Sequence, residues 1–142
     1  MSPEALYYVV TGAVMPGWLL LILTPRWRWT ARLIGPVVIP ALLAAVYVYI
    51  LIVHMPGAPG GFGSLREVRR FFDTPELLLA GWVHYLAFDL FVGSWEVRDA
   101  ARRGIAHAWV APCLVLTCLF GPLGLLLYLA VRVTVTRRIS LG

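Results

Sequence analysis

Residues 81–99 read GWVHYLAFDLFVGSWEVRD, and the fold turns on whether this stretch crosses a membrane. Leu86, Ala87, Phe88, Leu90, Phe91 and Val92 make it apolar enough, yet it also carries His84, Tyr85, Asp89, Glu96 and Asp99. An ionisable side chain within a membrane span is costly, so it marks a functional position unless it is paired. The surrounding composition favours a span. The 142-residue chain is 61% hydrophobic and 13% charged, with a mean hydropathy of +0.83, whereas soluble domains are about a quarter charged.

Working outward, Asp73-Thr74-Pro75-Glu76 is a helix start, with a cap residue, a proline and an acid in the first turn. The helix it opens is expected over about 75–96, continuing toward Arg103 and stopped by Gly104. Upstream, MPGAPGGFG (residues 55–63) is incompatible with regular helix. Residues 64–72 follow with Leu65, Val68, Phe71 and Phe72 on one face and Arg66, Glu67, Arg69 and Arg70 on the other, the pattern of a short amphipathic helix lying in a membrane interface. A first span is expected over 5–23, with a kink or a broken turn at Met15-Pro16-Gly17. It opens with Glu4 rather than a basic segment and is read as a retained helix, not a signal peptide. Trp27 and Trp29, among Arg26, Arg28 and Arg32, form an interfacial connection to a second span over 31–53. A fourth span is expected over 106–131, broken by Pro112 and by Gly121-Pro122, before a loose tail with Arg137-Arg138.

The expectation is thus an all-α polytopic membrane protein, a single domain of four transmembrane helices with an interfacial helix between spans two and three. Both termini lie on one side. Orientation is undetermined, because the first and third connections carry as many arginines (Arg26, Arg28, Arg32; Arg98, Arg102, Arg103) as the second connection and tail (Arg66, Arg69, Arg70; Arg132, Arg137, Arg138). The net charge of +5 is all arginine, and with no basic stripe interleaved with aromatics it belongs to span flanks rather than a nucleic-acid surface. Cys113 and Cys118 point away from each other on one helix and read as apolar thiols without a local bridge.

On a helical wheel measured from His84, Asp99 falls near roughly 60°, Tyr85 near 100°, Glu96 near 120° and Asp89 near 140°. One flank therefore stacks Tyr85, Asp89 and Glu96, with Asp99 close by, and Asp89 lies deepest. Tyr85, Arg32, Arg132 and His107 are the candidate partners of Asp89. A buried carboxylic acid of this kind serves as a general acid when a second group acts as base. The alternatives are polar contacts that glue helices together, or a solvated helix end with local ion pairs. Asp89, His84, Glu96 and Asp99 are the candidate catalytic residues. No histidine box, phosphate loop, dinucleotide fingerprint or serine-nucleophile motif is present; a hard-ligand metal site from Asp89, Glu96, Asp99 and a histidine stays open on the residues, though neither metal nor cofactor is expected.

Trp82, His84, Tyr85, Asp89, Gly93, Arg98-Asp99, Gly104, His107, Pro112-Cys113 and Phe120-Gly121-Pro122 with Gly124 make a long mixed run of polar and apolar residues. With these residues the chain resembles the abscisic-acid-deficient-four family of small four-span proteins of plastids and bacteria. The resemblance covers the last two expected spans and implies carotenoid metabolism. In plants the family is tied to forming neoxanthin from violaxanthin, an isomerisation in which an epoxide opens while a neighbouring carbon loses a proton. That chemistry needs an acid and a base and no redox cofactor. It implies a carotenoid-like substrate held by Trp82, Tyr85 and His107, lipid as surroundings, and a homodimer or another carotenoid enzyme as companion. The location implied is the inner membrane of a bacterium or a plastid membrane. A small proton-coupled transporter, for which the arginine tie suggests dual topology, and a non-catalytic assembly subunit are the competing readings.

Overall fold

The computed structural model describes residues 1–24 and 37–136. The first connection with Arg26, Trp27, Arg28, Trp29 and Arg32, the expected start of span two, and the tail arginines Arg137 and Arg138 lie outside the described residues. Those described form an all-α fold of six helices: α1 (Pro3–Leu23), α2 (Ile39–His54), α3 (Leu65–Phe72), α4 (Pro75–Arg103), α5 (His107–Phe120) and α6 (Pro122–Thr136). Two of them, α1 and α4, are long and apolar enough to cross a bilayer.

The 81–99 stretch is the middle and end of α4, which touches all five other helices. Its start is as expected, with Pro75 in the first turn, and Gly104 ends it in a left-handed conformation (φ 68°). Burial follows the wheel: Leu79, Val83, Leu86, Leu90 and Val97 belong to the core. α1 runs parallel to α4, with Trp82 Nε1 donating to Thr11 Oγ1 at 3.0 Å near one end and the Trp18 ring against Gly93 further on. Of the kink or broken turn expected at Met15-Pro16-Gly17, the broken turn does not occur. α1 is continuous through Pro16, and the absence of a side chain at Gly17 lets Leu90 and Ile39 approach it. α2 runs antiparallel to α4, from Ile39 at the level of Leu90 to Met55 at the level of Leu77.

The α3 segment is helical where the amphipathic pattern put it. Ser64 Oγ accepts from the Glu67 N–H at its start, and Phe71 is buried. Leu65, assigned to the same apolar face, is instead 85% exposed.

The largest departure concerns residues 106–131. They form not one interrupted helix but two helices that reverse on each other at Gly121. Descending α5, Leu114 meets Gly93, Thr117 meets Glu96 and Gly121 meets Asp89. Ascending α6, Tyr128 meets Trp95 and Asp99, and Arg132 meets Asp99. The backbone explains the reversal. Gly121 takes φ 50°, a conformation that disfavours any side chain, and Pro122 then starts α6 at a position where its missing N–H is harmless. Gly124 completes the closure, because a Cβ there would overlap the Thr117 backbone and hydroxyl. Gly124→Ala is therefore expected to lower stability by about 1–3 kcal/mol or more, since backbone cannot repack around a methyl group. Thermal unfolding of the purified variant in detergent measures this, with Gly12→Ala, which has open space at its Cβ position, as the control.

The hairpin is short. α4 at 29 residues is about 43 Å long, while α5 at 14 residues is about 21 Å. Starting beside the Arg103 end of α4, α5 reaches only Asp89, the midpoint of that helix, before the chain turns back.

Candidate functional site

The carboxyl flank predicted on α4 is real and faces the hairpin, but its three acids have three different environments. Asp99, buried at the Arg103 end, is the centre of an ionic cluster. Arg103 Nε donates to Oδ1 at 3.0 Å, the Tyr128 hydroxyl donates to Oδ2 at 2.8 Å, and Arg132 Nε stands 2.9 Å from Oδ2. Arg132 and Tyr128 are themselves sealed, at 1% and 0% exposure. Arg132, expected as a partner for Asp89, serves Asp99 instead.

Glu96 is fully buried, and the Thr117 hydroxyl is shared between its two oxygens at 3.0 and 3.3 Å. No substrate reaches a carboxyl in that position without opening the helix pair.

Asp89 differs from both. It is partly open, lies beside Gly121 at the hairpin tip, and has the Tyr85 hydroxyl within hydrogen-bonding reach one turn away. Its Oδ2 is a buried atom with no hydrogen-bond partner. A buried carboxylate oxygen without a protein partner is uncommon, and a proton, an ordered water or a ligand would each satisfy it.

Below Asp89, in the half of α4 that the hairpin does not reach, lies a cavity of about 740 Å³ between α1, α3 and α4. Leu78, Tyr85 and Trp82 line it at roughly 120°, 100° and 160° on the wheel that puts Asp89 at 140° and Glu96 at 120°, so cavity and hairpin share one face of α4. Its walls are aromatic. Tyr8, Tyr7, Trp82 and Tyr85 follow one another with ring centroids 5.4, 5.6 and 5.3 Å apart, the last pair stacked. Tyr85, at the inner end of that series, joins the cavity to Asp89.

His84 is not brought to the acids. It lines a second cavity of about 330 Å³ on the α2 side, near Tyr47 and stacked on Phe88 at 4.5 Å. At about 100° per residue, neighbours in sequence lie on different sides of a helix, and His84 and Tyr85 serve different spaces for that reason. Phe72, its ring against Gly81, borders both cavities. His107, expected at the substrate, donates from Nε2 to the Ile22 carbonyl at 2.8 Å and ties α5 to the end of α1. Among the described residues no three of His, Cys, Asp and Glu converge to hold a metal ion. Cys113 and Cys118 are both free.

Sequence reasoning did not find Tyr7, Tyr8, Phe72 or Thr117. Tyrosines at a span start read as interfacial anchors, and a lone threonine in an apolar run carries no spacing signal. A hint for Thr117 was its place four residues before Gly121, one helical turn ahead of the break.

The description ABA DEFICIENT 4-like matches residues 5–128, which takes in α2 to α5 whole, nearly all of α1, and α6 as far as Tyr128. The chain is also similar to the chloroplastic protein ABA DEFICIENT 4 of Arabidopsis thaliana, with 24% identity over 145 aligned positions covering 95% of this chain. It spans 64% of that relative's length. No solved structure matches. With the matched segment holding the carboxyl flank, the hairpin tip and every wall of the aromatic cavity but Pro3 and Glu4, the chain belongs to the ABA DEFICIENT 4-like family.

Proposed function

We propose that the protein is an integral membrane isomerase of carotenoid metabolism, acting on an oxygenated end of a polyene such as a xanthophyll epoxide. Membrane residence is supported by α1 and α4 and by the outward-facing apolar side chains of every long helix: Leu19, Leu42, Ile52, Phe88, Leu119 and Leu126 are each more than half exposed. A water-soluble monomer does not present so continuous an apolar surface. The membrane would be the cell membrane of a bacterium or a plastid membrane of a plant. The polyene reading rests on family membership together with an apolar, aromatic-walled cavity.

The observation that carries the chemistry is Tyr85, which lines that cavity and has its hydroxyl within hydrogen-bonding reach of Asp89 behind it. Opening an epoxide to an alcohol while the adjacent carbon loses a proton consumes no redox equivalents. Asp89 delivers a proton through the Tyr85 hydroxyl to the epoxide oxygen as its C–O bond breaks. The resulting carboxylate then takes the proton from the neighbouring carbon, whose C–H electrons form the new double bond, and the residue ends as it began. One acid acting in both steps accounts for the other candidates standing aside: Glu96 is sealed, Asp99 is engaged by two arginines and His84 lines the other cavity.

The test is expression in a host that accumulates an epoxidised xanthophyll, followed by chromatography and mass analysis of its pigments. The expected product has unchanged mass and altered retention. An unaltered pigment profile with membrane-inserted protein overturns the isomerase reading.

One observation favours a second reading. A carboxyl beside the tip of two half-length helices is also how carriers place a coupling site at mid-depth. Proton uptake coupled to a solute in reconstituted vesicles, abolished by Asp89→Asn, would select that reading.

A further inference from the structure

We infer that α5 and α6 form a re-entrant hairpin, that the end of the bundle from which it enters is the surface meeting the anionic, cytoplasm-facing leaflet, and that the aromatic cavity opens in the opposite leaflet. This rests on the membrane reading above but not on the carotenoid one.

Depth is measured along α4, which at about 43 Å exceeds a hydrocarbon core of roughly 30 Å. α5 leaves the Arg103 end, turns at Gly121 beside the midpoint Asp89, and α6 returns until Arg132 stands at Asp99. At about 21 Å, α5 is too short to cross, and α6, one residue longer, gains little. Backbone that breaks at mid-depth is tolerated where protein covers it, and Asp89 with the rest of α4 flanks the turn. α1 and α4 each run the length of the bundle, and because Ile22 lies beside His107 at the Arg103 end while Met55 lies beside Leu77 at the other, the chain also passes between the two ends from α1 to α2; α6 then ends on the side opposite Pro3.

That change of parity removes the tie between the arginine counts. The connection between α1 and α2 carries Arg26, Arg28 and Arg32, and the end of α4 carries Arg98, Arg102 and Arg103. Among the described residues Arg132 now joins Arg98, Arg102 and Arg103 at that end; in sequence Arg26, Arg28 and Arg32 follow the α1 terminus there, and Arg137-Arg138 follow the α6 terminus there. The other end has Arg66, Arg69 and Arg70. Arginine bias in short connections orients a membrane protein with the rich side toward the cytoplasm, or the equivalent compartment in an organelle. The cavity lies at the poor end, where Pro3, Glu4 and Pro75 frame it. An apolar substrate dissolved in the far leaflet thus meets Tyr7, Tyr8 and Trp82 before it meets Tyr85.

The experiment uses the full chain in a bacterial inner membrane, with green fluorescent protein fused after Gly142 and a single cysteine at the exposed position 59 (Pro59→Cys, with Cys113→Ala and Cys118→Ala). The expected result is a fluorescent fusion together with labelling of position 59 by an impermeant maleimide in intact cells. A dark fusion with position 59 labelled, or a fluorescent fusion with position 59 protected, puts both positions on one side and overturns the re-entrant hairpin in favour of a full fourth crossing. A dark fusion with position 59 protected, or mixed labelling, overturns the orientation. Release of the protein by alkaline carbonate strikes the membrane reading itself, apart from the hairpin.

Discussion

Replacing Asp89 with asparagine is expected to reduce conversion of a xanthophyll epoxide by at least about 100-fold while leaving the protein folded and membrane-inserted. A positioned general acid contributes on the order of 10²–10⁴ to rate, and in the proposed reaction one carboxyl both gives and takes the proton, so the loss would fall on both steps. Asparagine is nearly isosteric and still accepts a hydrogen bond from Tyr85, which keeps the packing beside Gly121 intact. The informative comparison is Glu96→Gln. That side chain is sealed against Thr117 and is expected to keep activity within a few fold, because an amide oxygen accepts the same hydroxyl. Both are read from pigment composition at matched protein levels. Full turnover by Asp89→Asn, or equal losses in the two variants, removes Asp89 as the reacting group.

The second large effect is structural. Asp99→Ala leaves Arg132, 1% exposed, beside a carboxylate that is no longer there. Breaking a buried pair by removing one partner costs about 3–5 kcal/mol, because the remaining buried charge loses a close counter-charge. The expected result is a large drop in the thermal midpoint in detergent. The double variant Asp99→Leu with Arg132→Met should recover most of it, because an apolar pair of similar size carries no such penalty. A single-variant loss below about 1 kcal/mol, typical of an exposed pair, contradicts a structural role for the cluster.

Much of this arrangement was legible in the sequence. The wheel grouped Tyr85, Asp89, Glu96 and Asp99 on one flank because helical geometry alone dictates it, and the same wheel already separated His84 from Asp89 and Glu96 by well over a right angle. Assigning His84 to the acids went against that geometry. The start of α4 and the helix at 65–72 followed from caps and amphipathic spacing, which are local signals. What escaped was direction. Gly-Pro at 121–122 reads equally as a kink or a reversal, and hydropathy is the same for a helix that continues and one that turns back. Only contacts across long separations, Thr117 to Glu96 and Tyr128 to Asp99, distinguish them. For the same reason Arg132 was matched to the wrong aspartate.

The pairing across the hairpin also has a consequence for biogenesis. Asp or Arg at the centre of an isolated span is unfavourable by about 2.5–3.5 kcal/mol each. In the proposed membrane setting Glu96 lies between centre and end of α4 and carries part of that cost, while Asp99 and Arg132, nearer the end, carry less but still burden their own helices when each is alone. Once joined, the ionic partners answer one another. The segment from α5 onward is thus a poor client for independent insertion and a good one for insertion against an α4 already in place. In the proposed membrane setting α4 is the template on which the chain's final segment is threaded, and a truncation that ends before Arg132 would leave Asp99 with Arg103 but without its α6 cation, and is expected to give a less stable protein.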